Sequence, residues 1–166
     1  LDVSKEENVK QMITTAIGRL GRIDIVVNNA GVYGPKGLIE NVDSGEWTSA
    51  VQVNLFSVFF VCKWILPHMK HNNAGKIINL SGGGATSPLP RISAYAASKA
   101  AVVRLTETLA EECREYNIEI NAVAPGALNT RLLDEVLESG PDVVGKSFYE
   151  KAVRQKADGG TPLALG

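Results

Sequence analysis

The segment Ile23-Asp24-Ile25-Val26-Val27-Asn28-Asn29-Ala30-Gly31 sets the architecture of the chain. Its first five residues are a short, mostly β-branched run. Gly21 stands before it and two asparagines and a glycine follow it, the pattern of a buried strand ending in a turn. Side chains after such a turn sit at the strand's C-terminal edge. Upstream, Ser4-Lys5-Glu6-Glu7 fits a capping box, in which the Ser oxygen accepts from the backbone three residues on while Glu7 reaches back. A helix is expected from there, because Val9, Met12, Ile13, Ala16, Ile17 and Leu20 fall on one helical face. Gly21 then stands where a left-handed C-terminal residue is wanted.

Downstream the pattern repeats. Glu46 to Met69 reads as a long helix, apolar on most sides, with Pro67 near its end, as expected of a helix between a sheet and another layer such as a second subunit. Lys76 to Leu80 is the next strand, Ser81 to Ile92 a Gly- and Pro-rich loop, and Ser93 to Glu115 a second long helix. Ile118 to Val123 is a third strand, closed by Pro125-Gly126, and shorter helical pieces follow at Arg131–Glu138 and Lys146–Lys156. Strands alternating with helices at this spacing predict an α/β fold: βαβ units, right-handed crossovers and a doubly wound parallel sheet with helices on both faces. Residues 1–166 read as one domain, with 131–157 as a lid offering a partly apolar pocket through Leu132, Leu133, Val136, Phe148 and Tyr149.

Composition narrows the function classes. The 166 residues suffice for one domain that buries about 70% of its unfolded surface. Seventeen Lys and Arg against 18 Asp and Glu give neither a basic patch for nucleic acid nor an acidic tail. Cys62 and Cys113 lie far apart, with no CxxC spacing and no nearby His, so no metal site is expected and both read as reduced thiols of a cytoplasmic protein. The apolar stretch Leu55–Leu66 is interrupted by Ser57 and Lys63 and falls short of the roughly 20 residues of a membrane span. The opening Leu1-Asp2-Val3 lacks Met and a leader, which reads as a piece of something longer.

In an open parallel sheet, ligands bind in the crevice at the carboxyl ends of the strands. The three strand ends here carry Asn29-Ala30-Gly31, Ser81-Gly82-Gly83-Gly84 and Pro125-Gly126-Ala127-Leu128-Asn129-Thr130, whose small residues leave room for a flat ligand. Any one such turn could simply end a strand; three together point to a site. Tyr95 and Lys99 share a face of the following helix, and an ammonium beside a phenol favours the phenolate. Tyr95 so placed is a general acid or base.

With these residues in order, the chain resembles the short-chain dehydrogenase/reductase family. The resemblance rests on Asn28-Asn29-Ala30-Gly31, on Val53-Asn54-Leu55, on Tyr95-Ala96-Ala97-Ser98-Lys99, and on Pro125-Gly126 with Thr130. It implies a Rossmann-like fold, here its strands 4 to 6, and NAD or NADP as cofactor. It also implies a small alcohol or ketone as substrate. In that pattern Tyr95 exchanges a proton with the substrate oxygen, and Lys99 lowers the Tyr95 pKa and holds the nicotinamide ribose. Asn54 kinks the long helix and positions a water linked to Lys99. Asn29, Ala30 and Gly31 lie along the adenosine side, and Asp2 and Val3 contact adenine, although Asp2 reads equally as a capping acid before Ser4. The turn from Pro125 and Gly126, through the Leu128 backbone and Thr130 hydroxyl, holds the nicotinamide carboxamide. A homodimer or homotetramer through the two long helices is expected, since Ala96, Ala97, Ala100 and Ala101 permit close approach.

Two departures stand out. The family's substrate-polarising Ser falls thirteen residues before the Tyr, where this chain has Gly82; either Ser81 turns inward, or another donor such as Ser93 or a backbone N–H serves. The Gly-rich dinucleotide fingerprint is absent from these residues, so the 166 residues alone are expected to bind the dinucleotide weakly. Gly160-Thr161-Pro162-Leu163 resembles the lead-in to the family's last helix. Two other functions remain open at this point: a non-catalytic association unit, and a cofactor-dependent isomerase or dehydratase.

Overall fold

The computed structural model describes residues 1–159; the Gly160–Leu163 resemblance lies outside them. Helix α1 (Glu6–Leu20) leads to strand β1 (Ile25–Asn28), then α2 (Ser44–Val51), a π-turn (Gln52–Phe56), α3 (Ser57–Asn72) and β2 (Gly75–Leu80). Helix α4 (Ser93–Glu112), β3 (Ile118–Val123), α5 (Arg131–Ser139), α6 (Pro141–Val144) and α7 (Lys146–Ala157) complete it. The three strands are parallel in the order β1-β2-β3, with Val26 beside Ile77 and Ile77 beside Ile120. This is the expected α/β, Rossmann-like arrangement.

Side-chain alternation shows which face is covered. Ile77, Ile118 and Ile120 are buried, and they join Val9, Ile13, Val58, Val61, Ile65, Met69 and Val102 in one core. The neighbouring positions point the other way, and there Ile25 is 59% and Val27 54% exposed. Successive right-handed crossovers advancing in one direction place their helices on one side of the sheet. Helices on both faces were expected; among the described residues only one face is covered. For the same reason the Ile23–Val27 run is a half-open edge strand and not a buried one.

Several local readings also shift. Ser4 does not cap α1: its N–H and hydroxyl both donate to Asp2 Oδ1, at 3.0 and 2.6 Å, and Lys5 occupies the cap without a side-chain bond. Met12 and Leu20, expected on the buried face of α1, are exposed. Helix α2 starts at Ser44 because Asp43 accepts from the Glu46 N–H at 2.8 Å. Ser44–Asn72 is 29 residues of continuous helix with a window of mean hydropathy 1.6, long and apolar enough to cross a membrane, which Leu55–Leu66 alone did not indicate. Its apolar side nevertheless faces the core through Val58, Val61, Cys62, Ile65, Leu66 and Met69.

Buried polar groups pin the strand ends. Asn79 is fully buried in β2, accepts from Asn28 Nδ2 and donates to Thr106 Oγ1, both at 2.8 Å. Pairing at both ends removes the penalty of an unsatisfied buried amide and locks β1, β2 and α4 in register. Helices α5 to α7 form a second apolar cluster of Leu133, Val136, Val144 and Ala152, against which Tyr33, Phe148 and Tyr149 pack. Arg91, at the entry to α4, donates to the carbonyls of Asp142 and Val143 and so ties this segment to the sheet domain.

Candidate active site

Tyr95 and Lys99 stand one turn apart near the start of α4, 9% and 4% exposed. Lys99 Nζ donates to the Leu80 carbonyl at the end of β2, at 2.7 Å, and lies 5.7 Å from the centre of the Tyr95 ring. Burial pushes the Lys99 ammonium down to about 8 and the Tyr95 phenol above its ordinary value of 10. The expectation that Lys99 draws Tyr95 down is therefore not met, because desolvation dominates both groups. Tyr33 packs edge-on against Tyr95, with ring centroids 4.8 Å apart and planes at 65°. Its phenol is pushed up to about 12, first by burial, then by the neighbouring Tyr95 and Glu135.

These side chains open into a cleft of about 520 Å³ at the carboxyl ends of the strands. All three strand-end turns reach it: Asn29 and Gly31 from the first, Ser81 and Gly82 from the second, Pro125, Gly126, Leu128 and Thr130 from the third. The far wall is one face of α7, where Phe148, Lys151, Ala152 and Gln155 recur at helical spacing. Asp2, Val3, Ala30 and Asn54 do not line it. Asp2 holds Ser4, whose hydroxyl keeps the carboxyl below its ordinary value, and it does not cap α1, whose first turn has no side-chain cap. Val3 packs on the main core, and Ala30 is exposed outside the cleft.

Asn54 is fully buried behind the wall, at the centre of the π-turn. It accepts from the Val32 N–H and donates to the Val32 carbonyl, both at 2.8 Å, bracing the turn after β1. The resemblance implied a kink at Asn54; what stands there is a π-helical turn, with an extra residue in the helical ladder. Gly31 is the spacer: a Cβ there would meet Asn54 Oδ1 at 3.4 Å and Lys99 Nζ at 3.6 Å. Leu128 uses both main-chain groups inside the protein, its N–H on Gly126 and its carbonyl on Gln155 Nε2 at 2.9 Å. Thr130 starts α5 without a side-chain capping bond.

Residues 1–140 match the sequence profile of a family described as short chain dehydrogenase. The chain belongs to the short-chain dehydrogenase family. It is 35% identical over 138 residues to a 3-oxoacyl-[acyl-carrier-protein] reductase FabG of Thermotoga maritima, a match covering 83% of this chain and 56% of that protein. An NAD+-bound xylitol dehydrogenase shares 28% identity at TM-score 0.80, over 90% of this chain and 62% of that one. A gluconate 5-dehydrogenase from Burkholderia cenocepacia, in complex with NADP and tartrate, shares 32% at TM-score 0.79, over 86% and 55%. The chain thus spans a little over half the length of the curated relatives it matches.

In this member of the family, the position thirteen before Tyr95 has no room for a side chain. A Cβ on Gly82 would lie 2.2 Å from Tyr95 Oη, and one on Gly84 would lie 2.8 Å from the Ala96 backbone. Gly82 and Gly84 are glycine because they press directly on α4, whereas a Cβ on Gly83 would meet nothing. Ser93 lies outside the cleft lining, its hydroxyl accepting from Trp47 Nε1 at 3.1 Å. Ser81 is 7% exposed and does line it. Sequence reasoning missed Tyr33, Leu89 and Gln155. For Tyr33 the signal was present, an aromatic two residues beyond the Gly31 turn; for the other two, single side chains in irregular or helical surroundings gave none.

Proposed function

We propose that the protein carrying this chain is an NAD- or NADP-dependent oxidoreductase interconverting a secondary alcohol and a ketone, with Tyr95 as the proton-transfer residue. The observation that carries this reading is a nearly buried Tyr–Lys pair opening into a cleft framed by the ends of three parallel strands. The residues present fit the nicotinamide half of a dinucleotide. Gly31 leaves space beside the Lys99 ammonium, the Thr130 hydroxyl is not engaged in capping, and flat small-residue turns line the sheet edge. Lys99, Pro125, Gly126 and Thr130 would hold it, with Asn29 and Gly31 toward the adenosine side. When bound, the dinucleotide supplies or accepts the hydride.

The chain's own part is position and proton transfer. In the reducing direction the Tyr95 O–H bond breaks and its proton passes to the carbonyl oxygen as the carbon takes the hydride, giving the alcohol; Tyr95 then regains a proton from solvent. A phenol held above 10 stays protonated at neutral pH, which suits it to that direction. Residues 131–157 act as a substrate lid, and the free, buried Cys62 and Cys113 accord with a reducing cytoplasm. The long helices associate into a homodimer or homotetramer through the exposed Phe56 and Phe59 and the small α4 residues Ala97 and Ala100; a monomer by light scattering at micromolar concentration counts against that interface.

The test is consumption of NADH or NADPH by the purified protein with a panel of open-chain and cyclic ketones, the alcohols identified by mass spectrometry. Alcohol formed in step with dinucleotide oxidation is the expected result. No oxidation together with no saturable dinucleotide binding would overturn the reading.

A further inference from the structure

A ketone reduced beside Tyr95 gathers negative charge on its oxygen, and a site that stabilises this charge needs a second hydrogen-bond donor besides the proton donor itself. The loop after β2 supplies none at Gly82, because any side chain there collides with Tyr95 Oη at 2.2 Å. Tyr33 packs against Tyr95 in an edge arrangement, ring centroids 4.8 Å apart, and lines the same cleft. A largely buried Tyr hydroxyl ordinarily finds a protein partner. Neither the Tyr33 nor the Tyr95 hydroxyl has one among the described residues, neither oxygen is fully buried there, and both residues line the cleft a ligand would fill.

The geometry points to the Tyr33 hydroxyl as the second donor to the substrate oxygen, standing in for the hydroxyl that Gly82 cannot carry. The inference rests on the assignment of proton transfer to Tyr95. Tyr33 is held for this role from two sides. Its backbone follows Val32, which Asn54 braces through both main-chain groups. Its ring packs on the α5–α7 cluster, with Lys36 Nζ 6.0 Å from its centroid and 3.8 Å from Glu135. With its phenol held at about 12, Tyr33 remains a donor across the whole range in which Tyr95 must exchange its proton. It hydrogen-bonds and does not transfer; the proton still comes from Tyr95.

Tyr33→Phe keeps the ring and its edge contact and removes only the oxygen. In the enzyme carrying this chain it is expected to lower kcat for ketone reduction about ten- to hundredfold, with the dinucleotide dissociation constant within about twofold of the parent. Infrared difference spectra of a bound carbonyl-labelled ketone give a second readout: the carbonyl stretch, shifted down in the parent, moves back toward its aqueous value in Tyr33→Phe. Tyr33→Phe with parental kcat and parental stretch, beside a Tyr95→Phe that loses turnover, overturns this inference alone. Tyr95→Phe with parental turnover, or a parent that neither binds nor reduces any ketone, overturns the proposed function and this inference with it.

Discussion

The two walls of the cleft are built differently. On the inner wall Lys99 is almost wholly buried, as are Asn54 and Asn79 behind it, and each is tied to backbone or side chain by bonds of 2.7 to 2.8 Å. On the outer wall, Thr130 and Lys151 are exposed, and one bond from Gln155 to Leu128 fastens α7 to the loop after β3. A reacting group has to be held to a fraction of an ångström, whereas a covering wall has to admit and release ligand. The difference therefore separates residues that fix chemistry from residues that choose and retain substrate.

Removing a brace from the inner wall is the severest way to break that contrast. Asn54→Ala leaves the Val32 N–H and carbonyl unpaired, at about 1–3 kcal/mol each, so the thermal midpoint is expected to fall by roughly 5–15 °C. An unchanged midpoint in differential scanning calorimetry would mean that the π-turn is not what steadies the turn after β1. Gly82→Ser presses on Tyr95 from the loop side and is expected to lower turnover about ten- to hundredfold, as a displaced reacting group does. A rise instead would show that the loop yields and that a hydroxyl at position 82 is welcome.

Lys99 gives a pH test of the same wall. Its folded value of about 8 lies below its ordinary 10.5, so between those values the unfolded chain binds the extra proton and stability rises with pH. Lys99→Met removes that rise, worth about 3 kcal/mol across the window, and urea titrations of parent and variant should converge as pH increases. Parallel curves would place the Lys99 ammonium in a better-solvated setting than its burial indicates. The smallest effect is expected on the outer wall: Gln155→Ala should cost less than about 1 kcal/mol of stability, consistent with one partly exposed bond, while loosening the lid. A loss as large as that of Asn54→Ala would erase the distinction between the walls.

Legibility in the sequence follows the same division. Tyr95 and Lys99 were visible because a helix fixes residues four apart on one face, and the strand-end turns because a parallel sheet sends its ligands to one edge. Asp2 and Val3 fall outside the cleft, Asp2 bonded to Ser4 two residues on and Val3 packed on the main core, and no pattern in the chain separates such a local bond from a ligand contact. The open face of the sheet was hidden because an alternating strand and a fully covered one look alike over four residues. Tyr33 stands at a legible strand-end turn, two residues beyond Gly31, but its contact with Tyr95 is tertiary packing, which spacing along the chain does not encode. The upward shift of Tyr95 was likewise out of reach, since the presence of a neighbouring Lys is written in the sequence and the depth of burial is not.

The central claim, that Tyr95 moves the proton, is tested most directly by single-turnover ketone reduction in Tyr95→Phe with dinucleotide binding measured on the same preparation. The account predicts a rate lower by about 10²–10⁴-fold, with a dissociation constant within about twofold of the parent. A rate close to the parent's, at parental dinucleotide affinity, would contradict it.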